Sequence, residues 1–347
     1  MQLWQRQVIQ LQRTPAVLGQ TLNFQAQQDS FISEFLISLE GVIGTAAATA
    51  NPEGLAALVQ NVRVTGSLNA GGNINPINNV RGPQLFELAQ FIRANVSYSF
   101  GSLGSTGSFG VYIPCTFENP RMGYPNQFMS VLPSNAMGQL SVSVTIANQN
   151  QVDTNSPATF ALTSMNVSVQ QNQFFVNTLP ATTGQNAWQY FSTTVDVLTN
   201  NNVQSGIVQQ QFPNGAAFLN ILMRSMSATS ASVRACVTKQ ADGAATGPID
   251  TTSTSAGFTL LDSNNVPKRQ MDWYQIRKDN LDHITDSLVA GNACFQFNRG
   301  IMDVWRPTPG PSIIPLNVPY TTTGTTNPLV EFVYQRLFDP ANALNLA

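Results

Sequence analysis

The run Leu140-Ser141-Val142-Ser143-Val144-Thr145-Ile146 decides the fold. Aliphatic residues take the even positions and hydroxyl residues the odd ones, and only an extended chain sends alternate residues to opposite faces. A helix would spread the four aliphatics around its circumference. A strand lays them on one buried side and leaves Ser141, Ser143 and Thr145 on the other. The same period of two recurs in Phe35-Leu36-Ile37-Ser38-Leu39, Asn61-Val62-Arg63-Val64, Met165-Asn166-Val167-Ser168-Val169, Val195-Asp196-Val197 and Phe295-Gln296-Phe297. Gly, Pro, Asn and Ser separate these runs, so the chain is expected to be all-β with many short strands.

Three segments break the alternation. After Pro83, the residues Leu85, Leu88, Ala89 and Ile92 recur at helical spacing, and after Pro267 so do Tyr274, Leu281, Ile284 and Leu288. In Met1–Thr14 the residues Trp4, Val8 and Leu11 fall at i, i+4, i+7, with Arg6 and Arg13 the only charged side chains. Pro15 disfavours helix at Thr14, so a short N-terminal amphipathic helix is expected, able to lie in a lipid interface or to dock on a protein neighbour.

The two interior helices have matching surroundings. Asn78-Asn79-Val80 precedes the first and Asn264-Asn265-Val266 the second, while Val96–Phe100 and Phe295–Phe297 follow them. Laid side by side, 31–39 corresponds to 190–198, 58–65 to 218–226, 109–116 to 300–306, 140–147 to 312–319 and 160–170 to 329–337. Collinear elements separated by variable loops are the pattern of a duplicated domain. The expected organisation is an arm at 1–18 followed by β-sandwiches at 19–180 and 181–347. Pro315 would require an edge position for strand 312–319. Composition does not separate a jelly roll from an immunoglobulin-like sandwich.

The surface is unusually short of charge: 10% of the 347 residues are charged, 16 basic against 18 acidic, whereas 33 Asn and 30 Gln supply much of the polarity. Soluble domains carry about a quarter charged residues. Three lysines in the whole chain cannot supply the counterion release on which non-specific nucleic-acid binding depends. Twenty Phe exclude a disordered chain. Cys115, Cys236 and Cys294 lack metal spacing and read as buried small hydrophobes.

His283 is the only histidine, so catalytic triads have one place to form. Asp279, Asp282, His283 and Asp286 are spaced i, i+3, i+4, i+7 along one helical face. That face could hold a divalent metal, but the simpler reading is a solvated helix face with Leu281, Ile284 and Leu288 turned inward. No cofactor motif is present, and no enzyme chemistry is expected.

The tandem sandwiches, the N-terminal segment and the Gln/Asn/Thr-rich, charge-poor composition together resemble the double jelly-roll major capsid proteins, the group spanning adenovirus hexons and membrane-containing icosahedral phages. The resemblance implies two tandem jelly rolls and a non-enzymatic capsid role. It implies homotrimers of pseudo-hexagonal outline, contacts with neighbouring trimers and with minor capsid or penton proteins, and no direct nucleic-acid contact. It places the chain in the virion capsid after synthesis in the host cytoplasm. An arm carrying Trp4, Arg6, Val8, Leu11 and Arg13 would then sit near an internal lipid membrane. A phage spike or fibre protein, or a two-module carbohydrate-binding or carbohydrate-active protein, remains open on the sequence.

Overall fold

A computed structural model describes residues 5–51, 53–68, 72–93, 101–120, 130–175, 192–200, 206–212, 217–227, 233–234, 257–261, 267–281, 292–297, 314–320 and 329–338. The chain divides into two compact units. One comprises Met1–Arg93, Ser97–Asp196 and Leu337–Ala347, the other Ala94–Val96 and Val197–Arg336.

In the first half the strands are β1 Gln5–Pro15, β2 Thr21–Gln25, β3 Phe31–Thr45, β4 Val59–Leu68, β5 Asn73–Val80, β6 Gly107–Thr116, the short β7 Leu132–Pro133, β8 Met137–Ile146 and β9 Ala161–Phe175. Helix α1 spans Gly82–Ile92 and a single turn, α2, spans Gln149–Val152. The strands pair in the orders β1-β9-β3-β6 and β2-β8-β4-β5. The second half contains β10 Ser192–Asn200, β11 Gly206–Phe212, β12 Ala217–Ser227, the short β13 Val233–Arg234, β14 Gly257–Leu261 and β15 Pro267–Asp272. Helix α3 Trp273–Leu281 follows, then β16 Asn292–Gln296, β17 Ile314–Tyr320 and β18 Leu329–Phe338. Here β10, β18, β12 and β16 are successive neighbours, as are β11, β17, β14 and β15.

Leaving out the two short strands, each half pairs its strands as 1-8-3-6 and 2-7-4-5, with a helix between the fifth and sixth. That is a jelly roll, twice. The decisive run lies in β8, where Leu140, Val142, Val144 and Ile146 are buried and Ser141, Ser143 and Thr145 are half-buried. Val62 and Val64 of β4 lie opposite Val144 and Val142, and they share complete burial with Phe35, Ile37 and Leu39 of β3 and Val167 and Val169 of β9, all part of the core. Each such side chain contributes about 1.5–3 kcal/mol of transfer free energy.

The expected N-terminal helix is instead the first strand. β1 pairs antiparallel with β9 from Gln5↔Phe175 to Pro15↔Asn166, with a bulge between Gln10 and Gln12. Gln-x-Gln-x-Ile carries a period of two beneath the helical spacing of Val8 and Leu11. The ladder on β9 decides between them, because it satisfies the backbone without needing an apolar stripe. Of the arm expected at 1–18, Gln5–Pro15 is therefore part of the sheet, and Trp4 lies outside the described residues.

With β1 as the first strand, the repeat shifts from the expected one. By topology 5–15 corresponds to 192–200, 31–45 to 217–227 and 59–68 to 257–261, so the first strand correspondences slip by one or two strands, while those of the helices and of the last two strands hold. Asn78–Val80 ends the fifth strand of its roll, whereas Asn264–Val266 precedes the fifth strand of the other, so the tripeptides are not equivalent. The expected strands at 96–100 and 300–306 lie outside the described residues. β17 is central in its sheet, not at an edge; even so, β14 reaches it only at Leu316 and Asn317, so pairing at Pro315 is one-sided, with Gln211.

The helices also differ in detail from expectation. Every residue of α1 is buried, including Gln84, Glu87 and Gln90. Gly82 permits this: a Cβ there would lie 2.6 Å from the Ala56 carbonyl oxygen and 2.8 Å from Ile113 Cδ1. After Pro267 comes β15, and α3 begins only at Trp273. Its buried face holds Ile276 and Asn280, whereas Leu281 is 48% exposed. The Asn280 side chain donates to the Cys294 carbonyl at 2.7 Å and accepts from the Cys294 N–H at 2.9 Å, as a neighbouring strand would.

Candidate assembly faces

Strand register places side chains on the outer face of β1-β9-β3-β6 in rows: Val8-Asn172-Glu34-Thr116, Gln10-Gln170-Leu36-Pro114, Arg13-Ser168-Ser38-Tyr112 and Pro15-Asn166-Glu40-Gly110. The alternate positions, Phe35, Ile37, Val167 and Ile113 among them, fill the core. Amides and hydroxyls dominate the outer rows, with Val8 62% and Tyr112 53% exposed.

The charges of this face and its rim are matched. Arg13 Nη2 lies 3.1 Å from Glu40 Oε2. Arg6 donates to both oxygens of Glu118, at 3.0 and 3.3 Å. Buried Glu34 meets Arg93 at 2.5 Å and accepts from Asn172 Nδ2 at 2.8 Å and Thr116 Oγ1 at 3.2 Å. Burial raises the Glu118 carboxyl above its ordinary value, although Arg6 and Arg93 pull the other way. Burial likewise pushes the neighbouring Cys115 thiol far up, with the Glu34 charge adding to it. Cys115 and Cys294 are both completely buried and do not pair with each other; Cys236 lies outside the described residues.

The corresponding face of the second roll has the same chemistry in a different state. Asn220, Leu222 and Arg224 of β12 pair with Gln296, Cys294 and Asn292 of β16. With Glu331, Val333 and Gln335 of β18, every one of these residues is at most 5% exposed within the single chain. Arg224 Nη1 donates to Glu331 Oε2, and Asn220 Nδ2 donates to Gln335 Oε1 at 2.7 Å. Arg–Glu pairing set among amides therefore recurs on both faces.

A second polar feature organises loops rather than a face. The Asp153 carboxylate accepts from the backbone N–H of Ala48, Thr49, Asn155 and Thr159 and from the Thr159 hydroxyl, at 2.8 to 3.2 Å. These bonds, led by that from Thr159 N–H, hold its carboxyl far below the usual carboxylate range. A depressed folded-state value means the stabilisation is present above the unfolded value of about 3.9 and is lost as pH falls toward the folded value. Asp153→Asn should therefore lower Tm by several degrees at pH 7, and the gap to wild type should narrow as pH drops below about 4 in a calorimetric series. A gap independent of pH would show that the charge is not what the loops use.

Of the residues singled out in the sequence, Arg6, Val8, Leu11 and Arg13 all lie on β1, with Leu11 at its bulge. Asp279 is half-buried on α3, while Asp282, His283 and Asp286 lie outside the described residues. Among the described residues no cluster of metal-ligating side chains occurs. No helix there is long and apolar enough to cross a membrane. The ion pairs and the Asp153 site were not visible in the sequence, since their partners are brought together across up to 112 residues.

No protein-family model matches the sequence, and no curated protein matches it. Solved structures do. The STIV MCP is similar over 99% of this chain and 99% of its own, with a TM-score of 0.66 at 14% identity. The atomic structure of Sulfolobus turreted icosahedral virus gives 0.65 at 15% identity, over 99% of this chain and 94% of that one. The major capsid protein P2 from bacteriophage PM2 gives 0.61 at 10% identity, over 96% and 98%. At such identities the likeness is one of architecture, and it spans both rolls. The chain has the double jelly-roll fold of viral major capsid proteins.

Proposed function

We propose that this chain is the major capsid protein of an icosahedral virion. Three copies carry six jelly rolls of one topology around a threefold axis, giving a trimer of pseudo-hexagonal outline that tiles the shell. The observation that carries this reading is the pair of topologically identical rolls in one chain, matched end to end by solved capsid proteins. A surface poor in charge and rich in amides supports it further, because such groups can be covered by neighbours without the desolvation cost of ions. The role is structural and not enzymatic. A pseudo-sixfold unit does not fit a fivefold vertex, so a separate penton protein belongs to the proposal.

An internal lipid layer belongs to it too, supported by the slight acidic excess, which gives the shell no cationic lining for a genome. Lipid contact would not use an amphipathic helix over the whole of residues 1–14, since β1 occupies Gln5–Pro15. The site of action is the virion shell, after synthesis in the host cytoplasm. Electron microscopy of particles containing the chain tests the reading. A lattice of pseudo-hexagonal capsomers is expected, with phospholipid in the extracted particle; particles bearing the chain only at sparse projections would make it a spike protein.

A further inference from the structure

We infer that the outer face of β1-β9-β3-β6 is an interface with a second copy of this chain. The inference rests on the assembly reading above and names the surface that assembly uses. Its basis is the comparison of two equivalent faces in one molecule. On the second roll the face is closed by the chain itself, and it tolerates closure because Arg224 is paired with Glu331 and the remaining polar positions are amides. On the first roll the equivalent face repeats that composition, with Arg13 paired to Glu40 and Glu34 to Arg93, yet Val8 and Tyr112 stand more than half exposed.

A face whose charges are already neutralised needs a partner that brings no unmatched charge, because a buried unpaired ion is costly. The surface of another copy meets that requirement: only 10% of this chain is charged and its net charge is -2. In the threefold unit proposed above the contact is heterologous, the open face of one copy meeting a different surface on the next. Contacts of that kind close into a ring when their rotation is a simple fraction of a turn.

Sedimentation equilibrium of the full chain tests the inference with Val8→Glu and Tyr112→Glu. Both positions are exposed in the single chain, so folding should survive, and circular dichroism verifies that it does. Wild type is expected to associate, and each variant to associate about tenfold or more weakly, because each would bury an unpaired carboxylate. If wild type associates and both folded variants match it, the face is not the interface and the inference falls alone. If wild type stays monomeric at every concentration, the assembly reading falls and takes the inference with it.

Discussion

Arg224→Met should destabilise the second roll by about 3–5 kcal/mol, on the order of 10 °C in Tm, and Glu331→Leu should cost nearly as much. The reason is an asymmetry. Arg224 and Glu331 sit on adjacent strands β12 and β18, with side chains 1% and 6% exposed, so removing either takes the paired counter-charge from an ion that is shut off from water. Removing both together strands nothing, and Arg224→Met/Glu331→Leu should recover most of the loss and approach wild type. Urea unfolding of the four proteins gives the coupling energy directly. Additive single and double effects would mean that the two side chains do not act as a pair.

Phe212→Ala should be of comparable size, about 3–5 kcal/mol. Phe212 ends β11 and is 1% exposed. Its ring stands nearly perpendicular to those of Phe332 and Tyr334, with centroids 5.7 and 5.6 Å away, and 5.8 Å from Phe218. Three edge-to-face contacts meet on one side chain, each worth about 0.5–1.5 kcal/mol beyond the area it buries. Truncation leaves a void that three large rings cannot fill without leaving their rotamers. Phe212→Leu keeps most of the volume and should lose distinctly less. Denaturant unfolding followed by near-UV circular dichroism reads both; a loss below about 1 kcal/mol for the alanine variant would show that this aromatic cluster closes up around the gap.

The face we assign to assembly was half legible in the sequence. Met165-Asn166-Val167-Ser168-Val169 already says that Asn166 and Ser168 share one side and the valines the other. Nothing in it says that Ser168 stands between Arg13 and Ser38, with Tyr112 next in the row, because register couples strands far apart in the chain. The same gap explains why β1 was misread. Alone, Gln5–Pro15 supports a helix through Trp4, Val8 and Leu11 as well as a strand through alternate glutamines, and its preference is set by the open edge of β9. α3 shows the converse. Leu281 was expected to face inward, but Asn280 takes the buried place because the strand edge at Cys294 needs two hydrogen bonds more than the core needs another leucine.

By itself the sequence determined that the chain is all-β, that it holds two β-sandwiches with a helix in each, and that its surface is made of amides and hydroxyls. Those properties follow from side-chain alternation and composition, which are local and survive without knowledge of neighbours. Tertiary structure alone decided that Gln5–Pro15 completes a sheet, which strand answers to which across the repeat, and which arginine neutralises which glutamate. Backbone pairing and ion pairing are relations between distant segments, and their energies exist only once the fold has brought those segments to within about 3 Å of each other.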